Sequence, residues 1–515
     1  MLAVFVSHAS AQQAQSPTFS LAAGTYTGPQ VTTISSQTTG ANIICYTFYN
    51  SAFAVEPQTD GSSSCLVGAL YANASPVMVD MTETIHAVAG GGGIPDSPVA
   101  TISYTVNGTS ATSCNANATT STFSSVLASA TPGQIICLAA GNYGTFNGGV
   151  VKASPGVMIT AASGVTASMI FYLCNNTATS WIVFDNIRIA GQWVCGPTTN
   201  IMIQNSQITD ELEFRQNANN NTCSNCPKMS NANFTINNTN LSMADNPVNG
   251  NDDGRLSFWG SGSANSDGPA GIVAMNSVFA FNCDDGIQFE AGGVGVFIGP
   301  GNTFHDLLQA NCPNGQHEDS IQWDGGDNPG PVIDGNFFYN DSDGLVPFDN
   351  AVTFTAVGNV FTNCNQNNNG CLGGPGDSTY GVHSLLSHNT VATDVIGCGQ
   401  THEGNICTMN AENNIMTGLN LGGGGAGSPF SIDYNECIGN QSACNSATGG
   451  THNLGCTPTY VGGSSPTTFA GFQLTPTSCG HAAASDGNDM GIIFGASNGN
   501  PPAPAPPTGV KAVAQ

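Results

Sequence analysis

Four short stretches of the chain repeat one template, and this repetition constrains the fold more than any other feature. Each places one or two acids before alternating apolar residues: DDGRLSFWG at 252–260, CDDGIQFEA at 283–291, HEDSIQWDG at 317–325 and SDGLVPFDN at 342–350. Stretches such as AMNSVFAFN, IDGNFFYND and AVGNVFTNC repeat a second pattern between them. Units that recur every 20–50 residues are typical of solenoids, so the chain is predicted to wind through about a dozen coils.

The charge balance excludes two classes of partner. The 515 residues include 33 acids but only 6 Lys and Arg, which gives a net charge of −27. Nucleic acids and anionic membrane surfaces both attract basic patches, because their phosphates must be neutralised. No apolar run reaches the roughly 18 residues that a membrane span needs. The 65 glycines, with abundant Asn, Ser and Thr, indicate many turns and predict an all-β chain.

Residues 108–495 are predicted to form the solenoid. The region opens with STFSSVLASATPGQIICLAAGNYGTF, in which a short amphipathic helix, a turn and a strand follow one another. This order resembles the N-terminal cap of right-handed parallel β-helix proteins of the pectate-lyase-like superfamily, where the helix covers the end of the core. The resemblance implies a right-handed parallel β-helix. That architecture is shared by polysaccharide lyases, some glycoside hydrolases, epimerases and adhesins, so the fold does not fix the function.

The two ends of the chain are predicted to differ from the solenoid. Residues 17–106 contain short alternating stretches separated by Gly, Pro and Ser, which predict a small Ig-like β-sandwich. The F-S-x-x-x-G-x-Y opening at Phe19 and the T-x-T-I-x-A-x-A strand at Thr82 resemble the module in the C-terminal region of chitobiase and β-hexosaminidase enzymes, which implies an accessory role. Residues 1–11 are interpreted as the end of a secretory signal. Residues 496–515 are interpreted as a proline-rich tail.

Eighteen cysteines indicate an oxidising compartment, so the protein is expected to be secreted or to lie at the cell surface or in the periplasm. Their spacing predicts disulfides between neighbours in the sequence. The predicted pairs are Cys45–Cys65, Cys114–Cys137, Cys174–Cys195, Cys223–Cys226, Cys283–Cys312, Cys364–Cys371, Cys398–Cys407, Cys437–Cys444 and Cys456–Cys479.

The repeated acids are predicted to stack, since equivalent residues of successive coils lie about 4.8 Å apart. Like charges this close raise one another's pKa unless a cation intervenes. The acids are therefore predicted to hold Ca²⁺, which prefers oxygen ligands. The alternative is turn chemistry alone, because Asp-Gly and Asp-Ser are turn dipeptides that repeat with the turn. The predicted metal ligands are Asp253, Asp284, Asp285, Glu318 and Asp319, and Asp343 continues the row.

A candidate catalytic centre lies in the same stretch. Arg255 is one of only six Lys and Arg residues and is aligned with small residues of the later coils, which predicts an exposed arginine beside a groove. Strand alternation points Gln288 and Gln322 away from the core, onto a sheet predicted to face solvent. The predicted catalytic residues are Arg255, Asp285, His317 and Asp319, and the predicted substrate-binding residues are Gln288, Gln322 and Trp323.

Three functions stay open on the sequence. As a polysaccharide lyase, the protein would use Ca²⁺ to acidify the proton beside a uronate carboxylate, and Arg255 would remove that proton. As a glycoside hydrolase, it would use Asp285 or Asp284 with Asp319 as acid and base. As a non-catalytic solenoid, it would be adhesive or structural. The lyase is favoured, acting as a monomer on an acidic polysaccharide, although a charge of −27 opposes a polyanion at long range.

Overall fold

The structure, a computed structural model, describes most of the chain between residues 13 and 493. The described residues are 13–49, 55–71, 76–107, 113–174, 177–191, 193–195, 198–215, 233–241, 254–259, 271–280, 285–290, 295–312, 318–324, 330–347, 353–364, 371–372, 383–397, 409–420, 431–445 and 450–493.

From residue 113 onward the chain forms a right-handed parallel β-helix, as predicted. Its coils pass through three parallel sheets, of which the first has 13 strands and runs the length of the solenoid. The strands of this first sheet are Ala116–Ala118, Ile135–Leu138, Val157–Ala161, Thr179–Asp185, Thr198–Gln204, Phe234–Asn237, Ile272–Met275, Val296–Ile298, Val332–Asp334, Thr353–Val357, His383–Ser387, Met409–Glu412 and Ser431–Asp433.

The other two sheets complete each coil. The second sheet contains Gly141–Phe146, Ala167–Phe171, Arg188–Ala190, Gln207–Ile208, Val278–Ala280, Thr303–His305, Phe337–Tyr339, Val360–Thr362, Thr390–Val391, Ile415–Met416 and Glu436–Cys437. The third sheet contains Trp193–Cys195, Leu212–Arg215, Leu256–Trp259, Ile287–Glu290, Asp319–Asp324 and Asp343–Pro347, followed by the pair Val395–Gly397 and Gly418–Asn420.

The predicted register of the third sheet is confirmed. Gln288 pairs with Gln322 on the next coil, and Asp319 pairs with Asp343 one coil later. The sequence template is therefore the structural repeat.

Apolar side chains stack along the inside of the solenoid. Phe279, Phe304, Phe338 and Phe361 occupy one row of the second sheet, with ring centroids 4.5, 4.6 and 4.5 Å apart. These separations match the spacing of neighbouring strands, so each ring packs on its equivalent in the next coil. One continuous apolar core follows from this stacking.

Buried asparagines connect the coils at the corner between the first and second sheets. At Asn359, both the backbone N–H and Nδ2 donate to Oδ1 of Asn389, at 3.1 and 3.0 Å. The residue before each of these asparagines, except Asn453, has a positive φ, for example 66° at Gly358 and 54° at His388. The asparagine in the repeated G-N and H-N pairs is thus a buried bridge between coils. The bridged residues are Asn336, Asn359, Asn389, Asn414, Asn435 and Asn453.

Both ends of the solenoid are covered. The helix Phe123–Ser129 buries Phe123 and Leu127 over the first coil, as predicted. The short helix Gln441–Asn445 follows the strand Glu436–Cys437. Two 3₁₀ turns lie at Gln309–Asn311 and Phe469–Phe472. Asn453 and Leu454 continue the stack, because Asn453 extends the row of asparagine bridges and Leu454 forms a parallel bridge with Glu436. The residues that follow pack their apolar side chains on the outer face of the second sheet. The boundary at 495 stays a prediction.

The N-terminal module, residues 13–107, is also built of β-strands. A five-stranded sheet contains Gly24–Tyr26, Ala100–Val106, Glu83–Gly90, Ile43–Tyr49 and Ala69–Leu70, in that spatial order. Three two-stranded ribbons pair Thr18–Phe19 with Ile34–Ser35, Gln30–Thr32 with Val77–Val79, and Gln58–Thr59 with Cys65–Val67. The resemblance of this module to the chitobiase sandwich stays a prediction.

The module packs on the outer face of the first sheet. Rings of Tyr46 and Phe48 lie 6.0 and 5.0 Å from that of Phe297, and Val273 and Val332 join the same buried cluster. Because this cluster contains side chains from both parts, module and solenoid share one apolar interface.

Disulfides connect neighbours in the sequence, as predicted. Cys312 is also disulfide-bonded, and the remaining predicted pairs involve residues outside the described part of the chain. Disulfides of this kind persist in oxidising compartments. None of the described helices is long and apolar enough to cross a membrane. The observed pairs are Cys45–Cys65, Cys114–Cys137, Cys174–Cys195, Cys364–Cys371, Cys437–Cys444 and Cys456–Cys479.

We expect Asn389→Ala to lower the free energy of unfolding by about 2–4 kcal/mol, because each buried polar group left without a partner costs about 1–3 kcal/mol. Asn117→Ala is the control, since Asn117 is exposed on the first strand. It should change the free energy by less than about 0.5 kcal/mol. Urea unfolding measures both. If both substitutions lowered the free energy of unfolding equally, the asparagine bridges would not stabilise the solenoid.

Candidate functional site on the third sheet

The predicted acids and arginine gather where strands of the third sheet begin, at a place named here the acidic corner. The corner consists of Arg255, Asp285, Glu318, Asp319 and Asp343 on successive coils. Three other predicted site residues, Asp253, Asp284 and His317, lie outside the described residues. The predicted Trp323 lies in the strand Asp319–Asp324, one position after Gln322.

The acidic corner is buried, which corrects the expectation of a solvent-facing row. Arg255 is 3% exposed, Asp285 is 2% exposed, and Glu318, Asp319 and Asp343 are fully buried. Alternation along the strand correctly predicts which side chains point away from the core. It does not predict solvent exposure, because a second layer of chain can cover the outer face of a sheet.

Hydrogen bonds give the corner a structural role. The backbone N–H of Asp319 donates to Oδ1 of Asp285 at 2.7 Å, and the backbone N–H of Arg255 donates to the carbonyl oxygen of Asp285 at 2.9 Å. The carboxylate of Glu318 contacts the Sγ atom of Cys312. Asp285 therefore connects the coil before it to the coil after it.

The small residues aligned with Arg255 do not leave space for a sugar. A Cβ on Gly286 would lie 2.5 Å from the carbonyl oxygen of Ser320, and one on Gly344 would lie 2.0 Å from that of Cys371. Glycine is required at these two positions because the backbone of the next coil passes directly over them. The predicted groove above Arg255 is filled by backbone.

Asp341 belongs to the same region and was not predicted. It accepts the backbone N–H of Leu307 at 3.1 Å and the hydroxyl of Ser320 at 2.7 Å. Burial raises the pKa of the Asp341 carboxyl well above its usual range. In the sequence, Asp341 directly follows an asparagine, Asn340. In the structure, Asn340 has a φ of 56° and lies at a second corner of the coil.

The described acids of the corner do not form a metal site. Among described residues, three ligand atoms of His, Cys, Asp or Glu come within 4.8 Å of one another only at Glu436, Cys456 and Cys479. Asp285, Glu318 and Asp319 therefore do not fit the predicted Ca²⁺ without the contribution of Asp253 or Asp284. The calcium assignment stays a prediction.

The predicted substrate-binding glutamines contact each other. Nε2 of Gln288 donates to Oε1 of Gln322 at 3.2 Å. Gln288 is buried and Gln322 is half-buried. In the preceding coil, the hydroxyl of Ser257 donates to Oε1 of Glu211 at 2.9 Å. Of this row, Gln322 retains the most accessible polar group.

Half-buried aromatic and cationic side chains lie at the other end of the same strands. The guanidinium carbon of Arg215 lies 5.0 Å from the ring centroid of Trp193 and 5.2 Å from that of Trp259. Glu213 pairs with Arg215 and accepts the indole N–H of Trp193. Tyr172 packs on Trp193 with centroids 5.6 Å apart. We call Trp193, Arg215 and Trp259 the tryptophan–arginine ledge.

The ledge has the chemistry of a carbohydrate-binding surface. Aromatic rings give flat apolar area with a polar edge. A guanidinium stacked between rings is held in one plane and can bind a carboxylate with two N–H groups. Trp259 ends the strand that Arg255 precedes, so the ledge lies about 13 Å from the acidic corner along one strand.

Sequence reasoning missed the ledge because its residues do not share the acidic template. Arg215 pairs with Trp259 across two coils, and Trp193 belongs to the coil before them. Rarity was the available signal, since the chain has only 4 Trp and 6 Lys and Arg. Their contact becomes visible only through the register.

Comparisons with known proteins give only distant likenesses. No family model matches the chain, and no curated protein matches it. Among solved structures, it is similar to an alginate lyase from Paenibacillus sp. str. FPU-7, with 15% identity over 48% of this chain and 96% of that chain and a TM-score of 0.33. It is also similar to pectate lyase Pel9A, with 15% identity over 74% and 96% and a TM-score of 0.33. These likenesses concern the fold, so the function is argued from this chain's own residues.

We expect Asp285→Ala to lower the free energy of unfolding by about 1–3 kcal/mol, because it leaves the buried N–H of Asp319 without its acceptor. Asp285→Asn keeps an oxygen at that place and should cost less. Urea unfolding compares the two variants. If alanine and asparagine proved equally harmless to stability, the bond to Asp319 would not hold the coils together.

Proposed function

We propose that the protein is a carbohydrate-active β-helix protein that binds an acidic polysaccharide along the third sheet and cleaves it by β-elimination. The observation that carries this proposal is the tryptophan–arginine ledge. It is half-buried, whereas the acidic corner on the same strands is closed to solvent. The described disulfides support a protein that works outside the cytoplasm.

The ledge favours a polymer that carries carboxylates. A net charge of −27 repels a polyanion at long range. Arg215 is one of only six Lys and Arg residues and lies between two indole rings. Electrostatic attraction of a carboxylate is therefore concentrated at this residue. Arg215 is 16% exposed at its side chain, which leaves N–H groups beyond those engaged by Glu213. Uronate residues offer both a carboxylate for the guanidinium and ring C–H groups for the indoles.

Burial argues against hydrolysis by the predicted pair of aspartates. A hydrolase needs two carboxyl groups in contact with the glycosidic bond or its attacking water. Asp285 and Asp319, the pair predicted for that role, are buried, and Asp285 is engaged by the backbone of Asp319. β-Elimination needs a uronate whose carboxylate is neutralised and a base that takes the proton from the carbon beside it. Arg215 is a suitable neutralising group. Of the predicted catalytic residues, His317 is the one that burial does not argue against as the base, and it lies outside the described residues. Burial also argues against direct contact between Arg255 and the polymer.

A second candidate function is non-catalytic binding. The complete burial of Glu318, Asp319 and Asp343 is what a purely structural row of turn residues would show. In that case the ledge would bind polysaccharide, and no bond would be cleaved.

The full-length protein should release unsaturated, ultraviolet-absorbing products from polyuronates such as alginate or polygalacturonate, because β-elimination leaves a double bond. Neutral polysaccharides should give no product. The same reactions with EDTA, and with EDTA followed by excess Ca²⁺, test the predicted cofactor. New reducing ends without ultraviolet absorbance would identify a hydrolase. Binding with neither product would identify the non-catalytic function.

Arg215→Gln should weaken polyuronate binding by about tenfold or more, since a charge-assisted pair contributes about 1.5–3 kcal/mol. Arg188→Gln is the matched control, because Arg188 is an exposed arginine on the second sheet. It should leave the affinity unchanged. Affinity electrophoresis in gels that contain the polymer measures both variants. If both substitutions weakened binding equally, net charge and not the ledge would determine affinity.

A further inference from the structure

Two acids are buried where the N-terminal module meets the solenoid, far from the ledge. Asp80 follows the strand Val77–Val79, and Glu83 opens the strand Glu83–Gly90. Each is 4% exposed. Both face the outer side of the first sheet, whereas the ledge lies on the third.

The two carboxylates surround a small cavity. It has a volume of about 10 Å³, which is room for one water molecule or one ion without its hydration shell. Neither Oδ2 of Asp80 nor Oε1 of Glu83 has a hydrogen-bond partner. The described lining contains no lysine, arginine or histidine. It consists of Tyr46, Phe48, Met78, Asp80, Glu83, Asn233, Thr235, Gly271 and Val273.

The solenoid contributes further oxygen atoms to this cavity. The hydroxyl of Thr235 hydrogen-bonds the Asp80 carboxyl. Nδ2 of Asn233 donates to the carbonyl oxygen of Pro76 at 2.6 Å and to Oδ1 of Asn200 at 3.1 Å. Both amide hydrogens of Asn233 are thereby used, which leaves its carbonyl oxygen as the group able to coordinate a cation.

Two oxygen atoms of this pair are available to a cation. Oδ2 of Asp80 and Oε1 of Glu83 are buried and have no hydrogen-bond partner, so neither of these two atoms holds a shared proton. A buried charge without a partner is costly, so buried carboxylates are normally paired or bound to a metal. Hard divalent cations bind several oxygens at once and neutralise two carboxylates together.

We propose that Asp80 and Glu83, with Thr235 and Asn233, form a site for one Ca²⁺-like cation that fastens the N-terminal module to the solenoid. The ligands come from both parts, so cation binding stabilises the docked arrangement over the separated one. The proposal is independent of the function proposed for the third sheet.

The test uses full-length protein freed of metal with EDTA and then dialysed. At pH 8, adding Ca²⁺ should raise the Tm of the wild type by a few degrees. Asp80→Asn and Glu83→Gln keep the size of each side chain but remove its charge, so the Ca²⁺-dependent rise should disappear. Glu56→Gln is the control, because Glu56 is an exposed acid of the same module. It should retain the full rise.

A second measurement does not depend on altering the acids. Tyr46 lines the cavity, so Tb³⁺ bound there should emit when tyrosine is excited. Tyr46→Phe should reduce that emission at least twofold while it keeps the Ca²⁺-dependent rise in Tm. Two outcomes would overturn the proposal: Ca²⁺ raises the Tm of Asp80→Asn and Glu83→Gln as much as that of the wild type, or it raises the Tm of none of them.

Discussion

The solenoid depends on giving every buried backbone N–H at its corners an acceptor from the next coil. A parallel coil turns sharply three times, and each turn removes N–H groups from the regular ladder. Asn389 supplies that acceptor at the first corner, Asp341 at the second and Asp285 at the entry to the third sheet. At the acidic corner, the carboxylate of Asp285 thus accepts a backbone N–H of the next coil, as the asparagine side chains do at the first corner.

This explains how much could be predicted from the sequence. Register could be predicted, because Gln288 and Gln322 occupy the same place in a repeated template and repeats stack. The solvent exposure of the acids could not be predicted, since a buried corner requires the same acids and glycines as an exposed one. Gly286 is an example. A small residue aligned with Arg255 is equally consistent with an open groove and with a close approach of the next coil's backbone. The carbonyl oxygen of Ser320 lies directly over Gly286, so the close approach is the correct interpretation.

The ledge could not be predicted for a different reason. Trp193, Arg215 and Trp259 come from three coils of unequal length, and no motif links them. The position of Arg215 between two rings depends on the pairing of three strands, so no single stretch of the sequence predicts it. Rare residue types concentrated on one sheet would have been the better guide, because a chain with few cations places each of them where it has an effect.

Other parts of the chain cover the outer faces of two of the three sheets. The outer face of the first sheet is covered by the N-terminal module, through Phe48 on Phe297. The outer face of the second sheet is covered by residues 450–493, through Phe472 on Phe337. Among the described residues, no comparable apolar cluster covers the third sheet. The module is therefore more than a removable accessory, because it covers an apolar face of the solenoid.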